Sequence, residues 1–86
     1  MATVRIPALL QPLTGGAASV QAAGSTLREV IADTVRQHPA LANRIADATG
    51  ILPEIMIAVD NTETSAMDTP VGTDSEVLVL PAIQGG

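Results

Sequence analysis

Two short runs in the second half of the 86-residue chain, Ile55-Met56-Ile57-Ala58-Val59 and Val77-Leu78-Val79-Leu80, are apolar at every position. A strand with one wet face alternates apolar and polar residues, so an uninterrupted apolar run needs neighbours or cover on both sides. β-Branched residues make up much of both runs and favour an extended backbone over a helix. Pro53 and Asp60-Asn61 bound the first, and Glu76 and Pro81 bound the second. The two are expected to be adjacent strands in the middle of one sheet, and the rest of the chain has to be arranged around that pair.

The first half supplies the remaining layers. Val4 and Ile6 alternate with Thr3 and Arg5, a short strand ended by Pro7. Ala8 to Leu13 brings apolar residues up to the turn at Thr14-Gly15-Gly16, and Ser19 to Ala22 reads as the returning strand of a hairpin closing at Gly24. Thr26-x-x-Glu29 is a capping box, and Leu27, Val30, Ile31 and Val35 then fall on one helical face. His38-Pro39 ends that helix, because a proline disfavours helical geometry in the residue before it. Ala40 to Ala48, with Leu41 and Ile45 four apart, predicts a second, shorter helical piece stopped at Gly50. Residues 62–75 are polar and irregular, with Met67 and Val71 as inward anchors, and a stretch of that length is expected to conceal one short edge strand. This order predicts an α+β domain of the ubiquitin-like β-grasp kind over residues 1–80: a mixed sheet of four to five strands covered on one face by a main helix. Residues 81–86 are expected to leave it as a flexible tail.

Composition excludes several functions. With no Phe, Tyr or Trp and 47% apolar residues, the core has to be aliphatic, each large buried side chain contributing roughly 1.5–3 kcal/mol. A chain of this size buries only about 60–65% of its unfolded surface, so many of those side chains must converge. The net charge is −5 and no lysine is present; scattered arginines without an aromatic to stack a base argue against nucleic-acid binding. An acidic surface suits a partner with a basic docking face. Without cysteine there is no disulfide, thiolate metal site or nucleophilic thiol. The apolar runs are too short to cross a bilayer, and Met1 to Arg5 lacks the layout of a signal peptide, so a cytoplasmic location is expected. His38, before Pro39, is read as a helix-end or surface residue. Asp60, Glu63, Asp68, Asp74 and Glu76 lack calcium-loop spacing and are read as a solvated face. Gly15-Gly16 has no following helix and is a turn rather than a phosphate loop, while Ser25 and Thr26 are explained by capping. No catalytic constellation is evident, and the chain is not expected to be an enzyme.

What remains is Gly85-Gly86. Two residues without side chains carry a carboxylate on a thin stalk that fits a channel where a Cβ would clash. A carboxylate can be activated as an acyl-adenylate and passed to sulfide, a thiol or an amine. A terminal Gly-Gly arises by chance in roughly 0.5% of chains, and a frayed end or an expression scar is the bland alternative. Leu80, Pro81, Ala82 and Ile83 precede it, apolar residues that read as a partner surface or as packing on their own sheet. The missing lysines fit a chain whose own carboxylate becomes activated, since no side-chain amine is offered to it.

The run Val77-Leu78-Val79-Leu80-Pro81-Ala82-Ile83-Gln84-Gly85-Gly86 resembles the ending of the MoaD/ThiS-type sulfur-carrier proteins. Within that family the likeness is greatest to the mycobacterial-type carrier of cysteine biosynthesis, in Val4-Arg5-Ile6-Pro7, Leu10 to Gly16, Thr26-Leu27 and Leu80-Pro81-Ala82. A Gly-Asp pair usually precedes the last strand in the family; Asp74-Ser75 stands there instead, which alters a turn. The resemblance implies that an E1-like adenylyltransferase, using ATP and magnesium, activates Gly86, and that a sulfur donor converts it to a thiocarboxylate. Leu80 would dock on the partner, while Pro81, Ala82, Ile83, Gln84 and Gly85 would thread its channel. The resemblance implies as acceptor a synthase, of pyridoxal-phosphate-dependent cysteine-synthase type in that pathway, with a JAMM-type metalloprotease trimming the adduct. No cofactor is implied for the chain itself. The sulfur would be destined either for cysteine or for a sulfur-containing cofactor or specialised metabolite, and the alternatives to a carrier are a protein modifier forming isopeptide bonds, the small subunit of a molybdopterin-type synthase, and a plain interaction domain with an incidental Gly-Gly.

Overall fold

Strand β7 (Glu76–Pro81) is the axis of the computed structural model, which describes residues 1–82. In chain order the elements are β1 (Ala2–Arg5), a 3-10 turn (Ala8–Thr14), β2 (Ser19–Ala22), α1 (Leu27–Gln37), a 3-10 turn (Pro39–Leu41), β3 (Ala46–Asp47), β4 (Gly50–Ile51), β5 (Ile55–Val59), β6 (Thr62–Thr64) and β7. Five strands form one mixed sheet in the order β2-β1-β7-β5-β6, and β3 and β4 form a small separate hairpin. β7 runs antiparallel to β5, with Ile57 opposite Val79, and parallel to β1, with Val4 opposite Val77. The two apolar runs are therefore adjacent, and β7 is the middle strand. This is the ubiquitin-like β-grasp arrangement.

Alternation along each strand separates two faces. Ala2, Val4, Val20, Ala22, Ile55, Ile57, Val59, Val77 and Val79 are buried with Leu27, Val30 and Ile31 of α1 in one aliphatic core. Leu10, Leu41, Ile45 and Val71 close its ends. Val35 is only half-buried, and the helical position the apolar pattern overlooks is Thr34, fully buried with its hydroxyl donating to the Val30 carbonyl at 2.8 Å. A back-bonded hydroxyl satisfies itself within its own helix, so it can enter the core at little cost.

The start of α1 is held from both directions. Thr26 Oγ1 accepts from the Glu29 amide, as the capping box predicts, while the Glu29 carboxylate accepts from the amide and hydroxyl of Ser25. The free amides of Leu27 and Arg28 donate to the carbonyls of Thr69 and Met67, and Val71 donates back to Ser25. The polar segment 65–75 is thus a clip across the helix N-terminus, satisfying donors that the helix cannot. The edge strand expected within residues 62–75 is β6, joined to β5 by Asp60-Asn61, both at positive φ as a two-residue hairpin turn requires.

Between Ala40 and Ala48 the structure departs from expectation. The helical piece is one 3-10 turn, after which Asn43 takes a left-handed conformation (φ 61°) and the chain forms the β3–β4 hairpin. Asp47 accepts from both the amide and the hydroxyl of Thr49, an Asx turn that competes with helix. Leu41 and Ile45 are both buried, so the apolar spacing marks core residues here without a helical period between them.

Gly24 has φ 146°, and a Cβ there would lie 2.7 Å from Glu29 Cβ and 2.9 Å from the Val30 amide nitrogen. Gly24→Ala should lower stability by about 1–3 kcal/mol, read as a lower urea midpoint at unchanged slope. Acidification should act through carboxylates that the fold holds ionised. Hydrogen bonds from Ser75 and then from the Glu76 amide keep Asp60 below the usual carboxylate range, and the Ser25, Ala23 and Thr49 donors do the same for Glu29, Asp33 and Asp47. A lowered folded pKa contributes stability above the ordinary carboxylate value and loses it below. The melting temperature should therefore be flat near neutrality and decline below about pH 4. Asp60→Asn should melt lower than the parent at neutral pH and show a shallower acid decline.

Candidate functional site

The candidate site begins where β7 leaves the sheet. Leu80 pairs with Met56 and Pro81 with Ile55, and the Ala82 amide donates to the Glu54 carbonyl at 2.8 Å. Backbone pairing therefore continues two residues past Leu80, where the sequence ends the domain. Amides alternate sides along a strand, so if Ala82 points its N–H at β5, Pro81 would point its own toward β1. β1 has already stopped at Arg5, opposite Leu78. The missing proline donor falls where no partner strand remains, and Pro81 can close the strand without breaking a ladder bond. Ile83, Gln84, Gly85 and Gly86, expected to form the end of the tail, lie outside the described residues.

On the face opposite α1, Leu78 and Leu80 of β7 stand beside Ala58 and Met56 of β5. Leu78, Met56 and Ala58 are half-buried, and Leu80 is 38% exposed, which resolves the question of whether it packs fully on its own sheet. It does not. The stripe is edged by the Arg5–Glu76 ion pair (3.0 Å) on one side and Glu63 on the other. Past Met56 a cavity of about 240 Å³ opens between Ile51, Ile55, Glu63 and Ser65. These groups can hold an apolar partner surface against a charged rim.

Leu9 belongs to the apolar segment Ala8 to Leu13, in which no single side chain stands out by sequence. It is 68% exposed in the 3-10 turn after β1. Because β1 and β7 are parallel, this turn leaves the sheet at the same end as the tail. Its signal in the sequence is an apolar side chain beside Leu10, which is buried, in a turn that cannot bury both.

The acidic residues are structural where the structure engages them. Asp60 accepts from the Ser75 hydroxyl (2.7 Å) and the Glu76 amide (2.9 Å), binding the β5–β6 turn to the entry of β7 at the end of the sheet remote from the tail. His38 caps α1, its amide donating to the Thr34 carbonyl. Among the described residues no group of three His, Cys, Asp or Glu side chains is placed to hold a metal, and no helix is long and apolar enough to cross a membrane.

Comparison with known proteins places this geometry. The ThiS family model matches residues 4–86. The sulfur carrier protein CysO of Mycobacterium tuberculosis is 34% identical over 90 residues, covering 98% of this chain and 97% of that protein. The crystal structure of the Amycolatopsis orientalis BexX/CysO complex contains a chain with a TM-score of 0.90 and 29% identity, covering 100% of each. The small archaeal modifier protein 1 of Methanosarcina acetivorans has a TM-score of 0.81 at 20% identity, covering 99% of this chain and 95% of its own, and so shares the fold.

Adjacent residues of β7 should separate stability from docking. Val79→Ala removes two buried methyl groups from the core and should cost about 2 kcal/mol in chemical denaturation. Leu80→Ala, on the open face, should change stability by less than about 1 kcal/mol while weakening, in a titration, the binding of any protein that docks on this face.

Proposed function

Because the chain belongs to the ThiS family, we propose that it is a sulfur carrier whose cargo rides on the Gly86 carboxylate. The observation that carries this reading is the position of β7: the middle strand of a rigid sheet ends in a proline, with Ala82 tied to Glu54 at the brink of the tail. The family match runs through Gly86 itself. A rigid body that a partner recognises, with the reactive group held on a narrow extension, is what carriage of an activated acyl group requires.

The chemistry is acyl substitution at the last carbonyl. A carboxylate oxygen of Gly86 attacks the α-phosphate of ATP in an E1-like adenylyltransferase, pyrophosphate leaves, and an acyl-adenylate forms. A sulfur donor then adds to the carbonyl and AMP departs, leaving a thiocarboxylate whose sulfur goes to an acceptor in a biosynthetic enzyme. ATP, magnesium and any pyridoxal phosphate belong to the partners. This chain contributes recognition, through the Leu78–Leu80–Met56 face, and delivery, through Pro81 to Gly86. The likeness to CysO favours cysteine biosynthesis as the destination, with a pyridoxal-phosphate-dependent synthase accepting the sulfur and a JAMM-type metalloprotease releasing the carrier. The A. orientalis complex of BexX with CysO supports docking of such a carrier on a partner protein.

Intact-mass measurement after incubation with the adenylyltransferase, ATP and a sulfide source tests the proposal. Exchange of one oxygen for sulfur, lost on deletion of Gly86, is the expected result. An unchanged mass with an activating enzyme shown competent on its own carrier would overturn it, and adducts on lysines of other proteins would support a modifier instead.

A further inference from the structure

We propose that the folded body offers no amine within reach of its own activated terminus, so the acyl group survives until a nucleophile from outside the chain takes it. This rests on the activated-carboxylate reading above and adds which nucleophiles can consume the activated group. An acyl-adenylate or thioester reacts readily with a neighbouring primary amine: the nitrogen forms a C–N bond, the C–O or C–S bond breaks, and the leaving group departs while the amine loses a proton. An amide made that way would end the carrier's cycle.

The sequence contains no lysine. Its four basic side chains are Arg5, Arg28, Arg36 and Arg44, whose guanidinium groups stay protonated and are not nucleophiles at neutral pH. An acyl group on the imidazole of His38 would be lost to water and trap nothing. The amine left to consider is the α-amine of Met1, and strand direction decides its place. Parallel pairing sets Thr3 level with Glu76, so Met1 is level with Asp74, seven residues behind Pro81. At roughly 3.3 Å per residue that is about 23 Å of sheet. The four residues after Ala82, which is anchored to Glu54, span at most about 14 Å however they are arranged. The α-amine is out of intramolecular range, and the end of the sheet from which the tail departs carries Pro53, Glu54, Pro7, Ala8 and Leu9. The nucleophile must therefore come from a partner or be small and soluble, as sulfide is.

A C-terminal thioester of the full chain, made by intein cleavage with a small thiol, tests this without any activating enzyme. At mildly alkaline pH the parent thioester should give only the free acid. Glu54→Lys, an exposed substitution beside the anchored Ala82, should instead accumulate an internal amide one water lighter than that acid. Glu54→Arg, matched in charge and checked to melt with the lysine variant, should give none, and neither should Asp74→Lys at the remote end. Internal amide in the parent chain, or none in a folded Glu54→Lys protein, would overturn the proposal. Failure of the sulfur-carrier reading would show separately, as absence of the sulfur exchange with the activating enzyme.

Discussion

The pairing of β7 with β5 is the interaction on which the rest depends. Five registered pairs, from Ile55–Pro81 to Val59–Val77, put Ile57 and Val79 side by side beneath α1 and leave Met56 and Leu80 together on the other face. The core is aliphatic and small, so it relies on branched side chains meeting across strands rather than on any one large residue. A slip of one residue would exchange the two faces, burying Leu78 and Leu80 and exposing Val77 and Val79. The same register that stabilises the sheet therefore determines which apolar residues remain for a partner.

Strand direction then sets the polarity of the molecule. β1 and β7 are parallel, so the turn after β1, with exposed Leu9, leaves the sheet where the tail does. The opposite end is tied by Asp60, Ser75 and Glu76, with Thr3 donating to the Ser75 carbonyl. One end is closed by hydrogen bonds between side chains and backbone. The other presents apolar groups around a departing strand.

Sequence patterning identified β1, β2, β5, β7 and α1 because each depends on local periodicity or on a residue with fixed backbone demands, although it ends β7 at Leu80, one residue early. Val4 with Ile6, the Thr26 cap and Pro81 are of this kind. It failed at Ala40–Ala48, where spacing of four between Leu41 and Ile45 is satisfied equally by a 3-10 turn followed by a left-handed Asn43. It also left unseen the bonds from Leu27 and Arg28 to Thr69 and Met67, since partners forty residues apart have no local signature. At the site, Leu80, Pro81 and Ala82 were legible as the approach to the tail. That Pro81 still pairs within the sheet was not, because its tolerance there depends on β1 having stopped at Arg5.

That stop connects the fold to the chemistry. Were β1 to continue alongside β7, Pro81 would leave an unpaired carbonyl on its neighbour and the strand exit would be flanked on both sides. With β1 ending early, the Glu54–Ala82 bond is the last pairing on the β5 side among the described residues, and no strand lies alongside Pro81 on the other side. Gly85 and Gly86 offer no side chain as a handle, so on the carrier reading proposed above a partner takes its bearings from the strand that precedes them. Position has to be transmitted through the backbone, from the β5–β7 register to Ala82 and then along four residues. The sheet thus sets the point and the direction from which the chain continues beyond Ala82.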